Sequence, residues 1–106
     1  MGTRLNVMVT KPVEVMWENF KWLECNKDLF QELWLWEELT TPGFKSSDFF
    51  RKVELAASAL QSKEVRRKLI RSAGCFMEDV INVKHFIDRL HETCKQYPDG
   101  IEIRVG

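Results

Sequence analysis

A mainly helical α+β domain is the fold that the sequence predicts: a bundle of about four helices with short N- and C-terminal strands paired antiparallel, in the order β-α-α-α-α-β. Three observations predict it. Apolar residues recur at three- and four-residue spacing through most of the chain, strict apolar/polar alternation is confined to the two ends, and Pro, Gly, Ser and Thr separate the periodic stretches. A chain of 106 residues is near the size at which one hydrophobic core is normal, so residues 1–106 are read as a single domain.

Residues 4–11 alternate, with Leu5, Val7 and Val9 against Asn6, Met8 and Thr10, as a half-buried strand does. Pro12 suits the first turn of a helix, and Val13, Met16, Trp17, Phe20 and Leu23 follow at helical spacing to about Cys25. Asn26 or Asp28 opens the next helix, which runs to about Leu39, where Thr40, Thr41, Pro42 and Gly43 stop it. On a continuous wheel Leu29, Phe30, Leu33, Trp34 and Trp36 cover its core face, while Leu35 and Leu39 fall outside.

Ser46 or Ser47 caps a third helix, whose Phe49, Phe50, Val53, Ala56, Ala57 and Leu60 form one stripe. Ser62 caps the fourth. From there a heptad seam runs through Leu69, Phe76, Val83, Leu90 and Tyr97 on one track and Ala73, Val80, Ile87 and Cys94 on the other. A helix of about 34 residues would reach roughly 50 Å, against a radius of gyration of about 13 Å for a compact domain of this size. Either Ser72, Ala73 and Gly74 break it, or it projects and packs on an identical copy, and the expectation is a homodimer. Pro98, Asp99 and Gly100 then turn the chain into a last strand, with Ile101, Ile103 and Val105 on one face.

Composition removes several function classes. The longest apolar run, residues 33–36, is far below the roughly 20 residues of a membrane span, and the N-terminal stretch has neither an apolar nor an Arg-rich signal pattern. The expected setting is intracellular, cytoplasmic or nuclear, with no membrane partner. Cys25, Cys75 and Cys94 are an odd set without CxxC spacing, so they read as free thiols rather than a disulfide framework.

Chemistry-bearing patterns are sparse. The five glycines are scattered, no phosphate loop or nucleophile elbow appears, and adjacent acids such as Glu37 and Glu38 diverge by about 100° on a helix. His91 and Cys94 share a helix face, but no further ligands converge with them, so no metal is expected. The reading is of a protein that is not an enzyme, with no cofactor and no small-molecule substrate.

Two surfaces remain as candidates. Nine of the twelve aromatic residues lie between Trp17 and Phe50. Trp17, Phe20, Phe30 and Trp34 are assigned to the core, whereas Trp22 stands opposite its helix's apolar stripe. Trp22, Leu35, Trp36 and Leu39 are therefore the expected protein interface, with Trp22 and Leu35 exposed on a single chain.

The second surface is basic. The sixteen basic and sixteen acidic residues balance overall but not locally: residues 1–43 carry four bases against seven acids, 44–74 eight against three, and 75–106 four against six. Lys63, Arg67, Lys68 and Arg71 fall on an arc of about 140° opposite the apolar seam, suited to nucleic-acid phosphates or an acidic partner, while Glu64 is placed to pair with Lys68. The helix, tight turn and basic helix of residues 46–71 follow the outline of a helix-turn-helix, with Leu60 where the turn favours Gly and Arg66 where a buried Val or Ile belongs. The leading expectation is a non-enzymatic interaction or regulatory protein working through protein contacts. The alternative is a dimeric helix-turn-helix-like DNA-binding regulator.

Overall fold

The computed structural model describes residues 4–9, 15–40, 46–96 and 101–105, with side chains placed for 21–40 and 50–96. Within these bounds the chain is mainly helical. Six helices are present among the described residues: α1 (Phe20–Cys25), α2 (Lys27–Glu32), α3 (Trp36–Thr40), α4 (Ser46–Ala59), α5 (Lys63–Ala73) and α6 (Met77–Gln96). None is long and apolar enough to cross a membrane.

The backbone of Arg4–Val9 (β1) runs antiparallel to both Val15–Asn19 (β2) and Ile101–Val105 (β3), in the sheet order β2-β1-β3. Val7 is opposite Met16 on one side and Ile103 on the other. The helix anticipated from Pro12 onward therefore begins only at Phe20. Val15 and Trp17 alternate with Met16 and Glu18, and residues that favour strands gain ladder hydrogen bonds from β1 which a helix would forgo. The inward set anticipated for the terminal strands, from Leu5 to Val105, consists of side chains outside the described residues, as do Trp17 and Phe20.

Short helices α1 and α2 are nearly continuous. Asn26, buried between them, donates from its side chain to the Trp22 carbonyl at 2.8 Å and accepts from the Phe30 N–H at 3.1 Å. The Phe30 bond is to the Asn26 backbone carbonyl, and the Trp22 carbonyl also accepts from the Asn26 backbone N–H at 3.3 Å. The side-chain amide thus finds its own partner at a buried position beside a helical ladder that continues through the junction.

The helix anticipated as unbroken to Leu39 is interrupted at Trp34. The Leu35 N–H reaches back to the Phe30 carbonyl at 2.9 Å and the Trp34 N–H to the Gln31 carbonyl at 3.0 Å. Those are the two bonds of a Schellman stop, and Trp34 holds its left-handed position at φ 63°. Phe30 and Leu35, the positions whose apolar contact accompanies such stops, are both fully buried in one core cluster.

The long heptad helix is broken too. Gly74 adopts φ 64°, and its N–H and that of Cys75 both turn back to the Ile70 carbonyl. Helix α6 restarts after Phe76, whose N–H donates to the Asp79 carboxylate at 3.0 Å, one half of a capping box. The seam does not project: α6, about 30 Å long at 20 residues, fits within a body of 39 × 31 × 18 Å with a radius of gyration of 13.2 Å. Breaking the seam shifts its phase, so Phe76, anticipated inside, is 80% exposed.

Helix α6 is the spine. Val80, Val83, Phe86, Ile87, Leu90 and Cys94 form its buried stripe, against which α4 and α5 pack, and α5 also rests on α2. Trp22, Phe30 and Phe86 make a closed ring of aromatic contacts, with centroids 5.6 to 5.9 Å apart in tilted and edge-to-face arrangements. Val53, Ala56, Ala57 and Leu60 of the α4 stripe and its turn complete the core.

A candidate interaction surface

Two of the four residues anticipated as a protein interface sit wholly inside the single chain. Leu35 and Leu39 are fully buried, and Trp22 is half-buried in the aromatic ring. Trp36 is half-buried as well, with the Lys27 ammonium 5.6 Å from its ring centre. The exposure anticipated for Trp22 and Leu35 is thus corrected. One left-handed residue rotates all that follows it, so the wheel that placed Leu35 outside and Trp34 inside is inverted.

Trp34 is 75% exposed. It stands between two clefts. One, of about 270 Å³, is lined by Gln31, Trp34, Trp36, Glu37, Glu38 and Lys52. The other is lined by Asp28, Gln31, Glu32, Trp34 and Ser72. In the first, the nearly buried Glu38 carboxylate accepts from the Lys52 ammonium, so its charge is already matched within the chain.

The four cations anticipated on α5 lie on its solvent face, while Leu69 and, less completely, Val65, Ile70 and Ala73 face inward. Among the described residues no ion pair within 4 Å engages Lys63, Arg67, Lys68 or Arg71, and Glu64 does not close on Lys68. Arg66 behaves differently. Its guanidinium donates to the Leu60 carbonyl at 2.7 Å, satisfying the end of α4. Ser62 starts α5 by accepting from the Val65 N–H at 3.4 Å. The helix after the turn is thus anchored through α6 and α2, and α4 through α6.

A groove lined by Glu64, Val65, Lys68, Arg71 and Ser72 runs along this cationic face. Ser72 belongs both to it and to the acidic cleft beside Trp34, so the two meet at the α2–α5 contact.

Elsewhere the titratable groups have structural surroundings. Burial pushes the Cys94 thiol up to about 11. Burial, then the nearby Asp79 carboxylate, raises Cys75 and disfavours its thiolate. The His91 ring lies 5.8 Å from that of Phe50 and its Nε2 has no hydrogen-bond partner, whereas His85 is exposed. Among the described residues no three His, Cys, Asp or Glu side chains are grouped to hold a metal ion.

Trp34, like Phe76, is an exposed aromatic residue that sequence reasoning placed in the core. Glycine would have announced the stop, and with tryptophan there the run of residues 33–36 carries no marker of it. Family models, curated protein sequences and solved structures yield no match to this chain.

Proposed function

We propose that this protein is a non-enzymatic interaction or regulatory protein that works through protein contacts, as a homodimer, inside the cell. One observation carries the reading. A large aromatic residue occupies a left-handed backbone position at 75% exposure while both neighbours in sequence turn inward. Such a conformation costs about 1–2 kcal/mol for a residue with a Cβ, and exposed Trp is a favoured anchor of protein interfaces. The interface anticipated at Trp22, Leu35, Trp36 and Leu39 is thereby moved to Trp34, which shares a cleft with Trp36. The terminal strands, in this reading, tie the two ends of one domain to the helical body.

A photo-crosslinking amino acid in place of Trp34 tests it in the expressing cell. Discrete protein adducts, absent when the same residue replaces exposed Glu92, support a protein-contact surface; none at either position refutes it.

A second reading, a helix-turn-helix-like DNA-binding regulator, is favoured by the exposed cations Lys63, Arg67, Lys68 and Arg71, none of which is in an ion pair among the described residues. It requires DNA affinity that falls steeply with salt, because phosphate contacts release counterions. Failure to retain DNA or RNA at low salt excludes it.

A further inference from the structure

We infer that the α2–α5 seam is the homodimer interface, with the second copy related by a two-fold axis beside Ser72, so that Trp34 of each copy enters the partner's groove lined by Val65, Lys68 and Arg71. The inference rests on the protein-contact reading and names both the occupant and the face.

Its basis is charge placed on either side of one residue. Ser72 joins a cleft bearing Asp28, Glu32 and Trp34 to a groove in which Lys68 and Arg71 outnumber a single carboxylate, Glu64. All five charged side chains are exposed, and among the described residues none is in an ion pair within 4 Å. A face with one acidic half and one basic half is complementary to itself after a two-fold rotation, which sets each acidic half on the partner's basic half. An all-acidic partner matches only the basic half, and an all-basic partner only the other.

Trp34 fits the same operation. It lies on the acidic side, so rotation delivers its ring to a groove of about 640 Å³ whose wall combines the apolar Val65 with an ammonium and a guanidinium, beside the Glu64 carboxylate. Indole is the aromatic ring most strongly attracted to such cations. The contact also covers the one described tryptophan that the chain leaves largely in water.

Sedimentation velocity over a concentration series tests the inference on the whole chain. Wild type is expected to be dimeric and to dissociate as salt rises. Trp34→Ala is expected to raise the dissociation constant at least about tenfold, the effect of truncating an anchor residue. Lys68→Glu/Arg71→Glu and Asp28→Lys/Glu32→Lys are each expected to be monomeric, because like charges meet at both halves. Mixing the two restores a dimer, since every contact is again between opposite charges.

Circular dichroism confirms that each variant is folded, and if Asp28→Lys disturbs the start of α2, Glu32→Lys alone carries the test. A wild-type dimer indifferent to these changes, or no dimer from the mixture of folded variants, overturns the α2–α5 seam while leaving the homodimer standing. A monomeric wild type whose residue-34 crosslinks join a different protein overturns the second copy as occupant and leaves the protein-contact reading intact.

Discussion

The Arg66 guanidinium donates to the Leu60 carbonyl at 2.7 Å, across the turn that joins α4 to α5. Sequence spacing placed an arginine where a helix-turn-helix buries an aliphatic side chain. The structure gives it the work of closing a helix end. A charged hydrogen bond of this type contributes about 1.5–3 kcal/mol. Arg66→Ala is expected to lower unfolding stability by about 1.5 kcal/mol, whereas Arg67→Ala, at an exposed position in no ion pair among the described residues, changes it by less than about 0.5. Urea denaturation of the two variants separates the structural arginine from the surface one.

Trp34 and Gly74 occupy the same left-handed region at helix ends, one with a Cβ and one without. Trp34→Gly relieves backbone strain and is expected to raise monomer stability by about 1 kcal/mol while weakening association. Gly74→Ala is expected to cost about 1 kcal/mol, from the backbone alone, because the added Cβ meets nothing within 4 Å. Thermal unfolding at low protein concentration, beside sedimentation, reads both effects.

Phe86 closes the ring that holds Trp22 and Phe30. Phe86→Ala is expected to cost about 3–5 kcal/mol, the effect of emptying a buried aromatic site. It also gives Trp22 access to water. Equilibrium denaturation should show the loss, and the native fluorescence should shift to the red.

Burial holds the Cys94 thiol at about 11, above the ordinary 9.0. The folded state therefore keeps this proton more tightly than the unfolded one. Its contribution to stability is complete below about pH 9 and is lost as pH rises through the interval up to 11. Cys94→Ala is expected to lose less stability than wild type between pH 9 and 11, measured by urea midpoints. A thiol reagent at neutral pH should label exposed Cys25 first and Cys94 last.

Much of the molecule follows from the sequence by itself. Helical periodicity identified the stripe Val53, Ala56, Ala57 and Leu60 and, on α6, Val80, Val83, Ile87, Leu90 and Cys94, because a helix facing one core repeats every 3.6 residues whatever else surrounds it; the two heptad tracks omit Phe86, which the broader buried stripe includes. The cationic arc of α5 was legible for the same reason, since charge is costly to bury and the opposite stripe is apolar. Tertiary structure decided where those periods reset. Two of the resets, at Trp34 and Gly74, each use one left-handed residue. Gly74 was visible as a candidate by its chemistry, whereas Trp34 carries no such marker, and stopping α2 there leaves Leu35 buried in the same core cluster as Phe30. That long-range choice turned Trp34 outward and took Leu35 and Leu39 out of solvent, which local spacing cannot encode.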